Sequence, residues 1–173
     1  MRLPMTALLL AGVLAGPAAA MELTSRDLKP NAPMPARHIY PRCGGRNISP
    51  DLSWSGAPKG AKSLVLTMID EDVKPALWSH WIVVGLAPAT TSLPQGLRVL
   101  PAGARAVAGN FGDASYDGPC PPAGSGVHHY RFTIWALPAA SVAIAPDAKA
   151  SEVAAILSRM AIDHASLMVT AQR

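Results

Sequence analysis

The stretch SLVLTMI at residues 63–69 is apolar on both of its alternating faces, which is typical of a strand inside a protein rather than at its edge. Two further runs, HWIVVGL at 80–86 and HHYRFTIWAL at 128–137, are rich in β-branched and aromatic residues and predict two more strands. A closing strand is predicted at 166–170. The pattern favours a mainly β fold, in which a β-sandwich carries peripheral helices.

One segment near the C-terminus has a helical pattern. Between residues 151 and 164 the apolar side chains follow spacings of three and four, which predicts a helix. Ser151 is a candidate N-cap at its start, and His164 occupies the last position of the pattern.

Length and composition narrow the class of protein. The chain has 173 residues, of which half are hydrophobic and 15% are charged, so it is neither a disordered segment nor a solvated coiled coil. Seventeen prolines and 14 glycines are too many for a helical bundle. The net charge is +4, but no two Lys or Arg residues are adjacent. Nucleic acid is therefore not an expected partner, because such proteins concentrate their basic residues in patches.

The first twenty residues have the pattern of an export signal. A basic residue, a short apolar stretch and the small residues Ala18 to Ala20 predict a signal peptide cleaved after Ala20. The alternative is a membrane anchor, but the apolar stretch is about half of the ~20 residues that a span needs. We therefore expect a periplasmic or secreted protein without a membrane span, with residues 21–173 forming a single domain.

The chain has two cysteines, Cys43 and Cys120. An oxidising compartment favours joining them in a disulfide, and the alternative is a pair of buried free thiols.

Asp70 and His80 lie at the end of one predicted strand and the start of the next. If these strands pair as a hairpin, the two side chains lie close together at one end of the sheet. A carboxylate at the rim of an apolar interior needs a partner, so the simplest interpretation is a structural Asp–His hydrogen bond.

His128 and Tyr130 are two residues apart on a predicted strand and so project from one face. They follow a loop rich in glycine and proline, whose backbone is able to approach a ligand closely. Imidazole, phenol and loop amides together are donors suited to a phosphate or carboxylate. The alternative is that both residues only pack in the core.

Other chemistries have weaker support. His80, His128 and Asp70 form a conceivable two-histidine, one-carboxylate metal set, but no metal-ligand spacing supports it, and no metal or cofactor is expected. No nucleophile motif or dinucleotide fingerprint occurs, and Cys120 is flanked by prolines rather than placed at a helix start. Phe111 and Trp135 are expected in the core.

Two long motifs resemble one known family. The first is NISPDLSW at 47–54, followed by Asp70-Glu71-Asp72 and His80-Trp81. The second is YDGPCPPAG at 116–124, followed by HHY at 128–130. Together they resemble the signature regions of the phosphatidylethanolamine-binding protein (PEBP) family, closest to its bacterial Raf-kinase-inhibitor-like branch.

The resemblance implies a fold and a site. The fold is an antiparallel sheet packed on a second sheet, with helices at the edge. The site is a small preformed pocket for phosphate, phosphoryl head groups or similar anions. The family's pocket residues fall on Asp70, His80, His128 and Tyr130, and the loop from Pro119 through Cys120 and Pro121 to Pro122 forms one wall.

Three positions depart from the family pattern. Glu71 stands where the family has proline, Lys74 adds a charge near the expected pocket mouth, and His129 replaces the usual arginine. The loss of a guanidinium removes bidentate contacts, and Arg131, on the same face as His129, is not expected to replace it. We therefore expect anion binding to depend on histidine protonation.

The leading interpretation is a non-enzymatic exported protein that binds a small anion or phosphorylated head group and regulates a protein partner, which the sequence does not identify. A second interpretation is an enzyme in which Asp70 orients His80 and a histidine acts as general base. A third is a protease-inhibitory or host-interaction protein. The sequence leaves the oligomeric state open.

Overall fold

The computed structural model describes residues 20–145 and 148–173. The predicted signal peptide, apart from Ala20, lies outside these residues. The elements in chain order are β1 (Glu22–Thr24), β2 (Leu52–Ser55), β3 (Ser63–Asp70), β4 (Trp78–Leu86), β5 (Ser92–Leu93), β6 (Arg105–Ala106), β7 (His128–Leu137), α1 (Ala150–Met160) and β8 (Asp163–Ala171), with short 3-10 turns at Ala36–His38 and Pro41–Cys43.

Two antiparallel sheets form the body of the protein. The larger has the strand order β6-β4-β3-β7-β8, and the smaller has the order β1-β2-β5. Strand β3 lies in the middle of the larger sheet, and every one of its residues is buried. The prediction of a mainly β fold with antiparallel sheets and a helix near the C-terminus is confirmed.

Strand β3 is apolar on both faces because each face packs on a different layer. Leu64, Leu66 and Met68 belong to a core that includes side chains of the smaller sheet. Val65 belongs to a second core, which includes Val153 of α1. Burial of large aliphatic side chains is worth roughly 1.5–3 kcal/mol each, so the central strand is held from two sides.

The C-terminal helix is shorter than predicted. It ends at Met160, and His164 belongs to β8, where it pairs with Trp135 of β7. The prediction of Ser151 as N-cap was wrong, because Lys149 holds that position and its N–H donates to the Glu152 carboxylate at 3.2 Å. Pairing with β7 over nine positions overrides the helical pattern beyond Met160 and makes the closing strand longer than 166–170.

A disulfide joins Cys43 and Cys120, whose Cα atoms are 5.5 Å apart. The predicted bridge is therefore confirmed, and the alternative of two free thiols was wrong. The bridge links the 3-10 turn at Pro41–Cys43 to the loop that precedes β7. None of the helices in the described residues combines the length and apolar character that crossing a bilayer requires.

The disulfide generates a prediction about stability. Replacing both cysteines, as Cys43→Ser/Cys120→Ser, frees a loop with a sequence separation of 77 in the unfolded chain. We expect the free energy of unfolding, measured in urea, to fall by about 2–5 kcal/mol. The wild-type protein in a strong thiol reductant is the matched control and should unfold at the same urea concentration as the double variant. A difference below about 1 kcal/mol between the oxidised protein and the variant would contradict this.

Candidate functional site

A cavity of about 260 Å³ opens at one end of the larger sheet. It lies where β3 ends, where β4 and β7 begin, and beside the loop that carries Cys120. Its lining combines aromatic rings, prolines and four titratable side chains of buried residues. The lining residues are Asp70, Val73, Trp78, His80, Phe111, Cys120, Pro121, Pro122, His128 and Tyr130.

Asp70 and His128 form the central polar pair of this cavity. His128 Nδ1 lies 2.7 Å from Asp70 Oδ2, and the two residues are 5% and 2% exposed. The pairing follows from the register, in which Asp70 lies opposite Tyr130 and therefore diagonal to His128. The other carboxylate oxygen of Asp70 accepts the Asp72 N–H at 2.9 Å, so both oxygens are held.

The expectation that Asp70 bonds to His80 was wrong. β4 has a β-bulge at this point, because Met68 lies opposite Trp81 while the next residue, Ile69, lies opposite Ser79. His80 is the extra residue, and a bulge re-aims the side chain of the residue it inserts. Its ring bonds instead to the Asp117 carbonyl oxygen, 2.8 Å from Nδ1.

The contact with Asp117 assigns the tautomer of His80. A carbonyl oxygen only accepts, so Nδ1 carries the proton and Nε2 is left as an acceptor. Burial lowers the pKa of His80 to about 4, so the ring is neutral at physiological pH. His80 therefore presents a lone pair, rather than a positive charge, to a group bound beside it.

The hydroxyl of Tyr130 has no hydrogen-bond partner among the described residues, although the residue is fully buried. Burial and the nearby Asp70 carboxylate raise the pKa of this phenol, so it stays protonated and retains a hydrogen to donate. An unpartnered buried hydroxyl costs about 1–3 kcal/mol. Because Tyr130 lines the cavity, a bound acceptor atom is able to recover this cost.

Ser125 is a polar neighbour that the sequence reasoning missed. Its Oγ lies 2.9 Å from His128 Nε2 and 2.7 Å from the Pro122 carbonyl oxygen. Ser125 itself is exposed, while Pro122 and His128 both line the cavity, so the hydroxyl lies at the cavity mouth. Its only signal in the sequence is a serine between two glycines, three residues before His128.

Phe111 forms an outer wall of the cavity. The prediction that it lies in the core was wrong, because the residue is 36% exposed. Its ring centroid lies 5.1 Å from that of Tyr40 and 5.2 Å from that of His80, and it meets Trp78 edge-on at 5.9 Å. These contacts hold the ring at the mouth, where it shields His80 from water.

The proline-rich loop forms the opposite wall, with one difference from the expected set. Cys120, Pro121 and Pro122 line the cavity, whereas Pro119 does not. The carbonyl oxygen of Pro119 instead accepts the Tyr40 N–H at 3.1 Å. The loop is pressed against residues 38–40, since a Cβ at Gly118 would lie 2.0 Å from the His38 carbonyl oxygen. Only glycine fits there.

Two of the three residues that depart from the family pattern, Glu71 and His129, each pair with a charged residue near the cavity. Glu71 forms a two-bond ion pair with Arg131, with contacts of 2.5 and 2.9 Å. Asp72 accepts from both the backbone and the ring of His129, at 2.6 and 2.8 Å. No Lys or Arg lines the cavity as the structure describes it, and Lys74 is also outside the lining. Positive charge inside the cavity therefore has to come from histidine.

Within the described ranges, no three His, Cys, Asp or Glu side chains are grouped so as to hold a metal ion. The polar groups that face the cavity are thus a carboxylate, two imidazoles and a phenol. This set offers one donor that has no protein partner, on Tyr130, and one free acceptor, on His80.

Comparison with known proteins gives a consistent result. The sequence model of the family described as phosphatidylethanolamine-binding protein matches residues 24–172. The Mycobacterium tuberculosis protein named "Putative lipoprotein LppC" is 41% identical over 139 residues, a match that covers 80% of this chain and 66% of that protein. This chain thus spans just under two thirds of that relative's length.

Two Escherichia coli proteins are also similar. UPF0098 protein YbhB is 42% identical over 124 residues, covering 68% of this chain and 78% of YbhB. The crystal structure of YbcL, described as a new member of the mammalian PEBP family, superposes with a TM-score of 0.82 at 32% identity, covering 90% of this chain and 99% of YbcL.

The cavity geometry predicts two unusual titrations. Burial holds the pKa of His80 at about 4, and burial together with the hydrogen bond to Asp113 raises the pKa of Asp117 to about 7. Site-resolved NMR should show the titrations of both His80 and Asp117. The variant His80→Asn, whose amide is able to replace the Nδ1 donor, should remove the His80 titration and keep that of Asp117. A His80 ring that titrates near 6.5, the unperturbed value, would contradict the assignment.

The two groups affect stability in opposite directions. In the unfolded chain His80 takes a proton below its ordinary pKa of 6.5, whereas in the folded protein it does so only below a pKa of about 4. Protonation therefore favours the unfolded chain, and the free energy of unfolding falls as the pH falls from 6.5 to 4. Asp117 costs stability as the pH rises from 3.8 to 7, because only the folded protein keeps its proton there. The NMR measurement is therefore preferable to a stability curve, in which the two effects oppose each other.

Proposed function

This chain belongs to the phosphatidylethanolamine-binding protein family, and on that premise we propose that its cavity binds a small phosphoryl-type anion. The observation that carries the proposal is the Tyr130 hydroxyl, which is buried and unpartnered among the described residues and belongs to a residue that lines the cavity. Such a group favours an acceptor atom from a ligand, since folding alone leaves its hydrogen-bonding capacity unused.

The neutral ring of His80 further restricts the class of anion that the cavity favours. Its Nε2 is an acceptor, so a bound anion that also carries a hydrogen is favoured over one that does not. Singly protonated phosphate and phosphomonoesters have both an oxygen for the Tyr130 hydroxyl and a P–OH for His80. Sulfate is fully deprotonated at neutral pH and has no hydrogen to offer, so it is a matched ligand control of the same shape.

We propose that binding takes place outside the cytoplasm, in the periplasm or after secretion. The Cys43–Cys120 disulfide supports this, because such bridges persist in oxidising compartments. The name of the relative LppC, which describes a lipoprotein, is consistent with export. The N-terminal sequence has the pattern of a signal peptide.

Removing one hydroxyl tests the binding proposal. In Tyr130→Phe, we expect the affinity for phosphate and phosphoethanolamine, measured by calorimetry, to fall at least about tenfold, the equivalent of one hydrogen bond of about 1.4 kcal/mol. The fold should be as stable as the wild type or more so, because the variant loses an unpartnered buried group.

The matched control is Tyr116→Phe. The Tyr116 hydroxyl donates to the His38 carbonyl oxygen at 2.8 Å, and Tyr116 is outside the cavity lining. This variant should lose about 1 kcal/mol of stability and keep phosphate affinity. Equal phosphate affinity in the wild type and Tyr130→Phe, or no phosphate binding to the wild type, would contradict the proposal.

The protonation argument predicts a dependence on pH. The titratable side chains that face the cavity are Asp70, His80, His128 and Tyr130. Phosphomonoesters lose their second proton near pH 6, so phosphoethanolamine affinity should fall at least about tenfold between pH 5.5 and 8. At pH 5.5 sulfate should bind at least about tenfold more weakly than phosphate. Affinity that is flat across this range, or equal for the two ions, would show that His80 does not select a hydrogen-bearing anion.

A further inference from the structure

Ser125, His128 and Asp70 form a continuous chain of hydrogen bonds at the cavity mouth. Ser125 Oγ lies 2.9 Å from His128 Nε2, and His128 Nδ1 lies 2.7 Å from Asp70 Oδ2. This is the arrangement of a nucleophile, a general base and the carboxylate that orients the base. We propose that Ser125 is a nucleophile for acyl transfer, and that the protein hydrolyses small carboxylic esters at this site.

The hydrogen bonds set the tautomer that this chemistry needs. With Asp70 accepting from Nδ1–H, neutral His128 has its lone pair on Nε2, directed at the Ser125 hydroxyl. The hydroxyl hydrogen has two acceptors within reach, His128 Nε2 and the Pro122 carbonyl oxygen at 2.7 Å. Rotation of the hydroxyl towards His128 is the only rearrangement required before attack.

The backbone presents Ser125 on a sharp turn. Gly124 and Gly126 flank it with φ values of 78° and 91°, a region that side-chain-bearing residues rarely adopt. The Gly124 N–H is tied to the Arg173 carbonyl oxygen and the Ser125 N–H to that of Pro122, at 3.1 and 3.2 Å. The turn is thus held at Gly124 and Ser125, and Ser125 remains exposed.

The backbone also offers a donor for a developing oxyanion. The Gly126 N–H, directly after the nucleophile, makes no hydrogen bond to any described residue. In α/β-hydrolases the amide of the residue after the nucleophile supplies part of the oxyanion hole. Each such donor is worth about 10²–10³ in rate, so a site with one clear donor is expected to be slow.

The cavity beside Ser125 defines the class of substrate. Its volume of about 260 Å³ and its aromatic walls suit a small acyl group, which would pass Pro122 and His128 to place its carbonyl carbon near the serine. A large acyl chain or a folded protein segment does not fit inside.

The proposed reaction uses only the ester and water. Ser125 Oγ attacks the carbonyl carbon while His128 Nε2 takes the hydroxyl proton, and Asp70 stabilises the resulting imidazolium. The C–O bond to the alcohol then breaks, and the alcohol leaves with the proton from His128. Water attacks the acyl-serine with the same base, which releases the carboxylic acid and restores Ser125.

This activity goes beyond anion binding and differs from the enzymatic alternative considered from the sequence. That alternative paired Asp70 with His80 and lacked a nucleophile. In the structure the carboxylate orients His128, and Ser125 lies on the other side of the same ring.

A fluorophosphonate probe, which reacts covalently with activated serines, tests the proposal on the folded, oxidised protein. Intact mass followed by peptide mapping should show one adduct, on Ser125. Ser141→Ala is the matched control, because Ser141 is also exposed but follows the opposite end of β7. It should label as the wild type does, whereas Ser125→Ala should not label.

Asp70→Asn separates activation from mere exposure of the serine. The substitution keeps the size of the side chain but removes the carboxylate. Thermal unfolding first checks that the variant is folded, and the folded variant should be labelled at least about 100-fold more slowly than the wild type.

Release of p-nitrophenol from p-nitrophenyl acetate should show a burst in the wild type and none in Ser125→Ala. No adduct on the wild type, an adduct on another serine, or equal labelling of folded Asp70→Asn would overturn the proposal. Phosphate calorimetry on Ser125→Ala reports separately on anion binding, which this substitution should leave in place.

Discussion

The hydrogen bond between Asp70 and His128 joins the end of β3 to the start of β7, and the cavity is built around it. Both side chains are almost fully buried, so each depends on the other to be tolerated inside the protein. Asp70 also accepts the backbone N–H of Asp72, which ties the loop after β3 to the same point. The pair therefore fixes the ring of His128, the first turn of that loop and the position of the neighbouring Tyr130.

The two histidines of the cavity have different roles because the sheet holds them differently. His128 lies in regular register on β7 and bonds to a carboxylate, whereas His80 is the extra residue of a bulge on β4 and bonds to a backbone carbonyl. Burial lowers the pKa of His80 and keeps its ring neutral, although the contact with the Asp117 carbonyl oxygen favours the charged form. The carboxylate beside His128 is able to stabilise an imidazolium that forms when this ring takes a proton. The site thus combines an acceptor that selects hydrogen-bearing ligands with a second imidazole that is able to act as a base.

Much of this arrangement could be predicted from the sequence. The three long strands follow from apolar patterns that extend over seven or more residues, and the two motifs placed Asp70, His80, His128 and Tyr130 together. The partner of Asp70 could not be predicted, because it depends on a one-residue bulge and hence on the register of two strands. Ser125 and Phe111 lie in irregular loops, whose conformation comes from contacts with distant segments such as Arg173 and Tyr40.

Anion binding and acyl transfer make opposite demands on protonation. Acidic conditions favour the hydrogen-bearing form of phosphate that His80 accepts. Acyl transfer instead requires a bare nitrogen on His128, because Nε2 that carries a hydrogen becomes a donor to Ser125 and is no longer a base. In that state the Ser125 hydroxyl is able to donate to Pro122 while accepting from His128, so both of its contacts are satisfied and the serine is a poor nucleophile. A neutral His128 leaves two acceptors competing for one hydroxyl hydrogen, which is the condition for nucleophilic attack. Anion binding therefore requires a hydrogen on the ligand, whereas a reactive Ser125 requires His128 Nε2 without one.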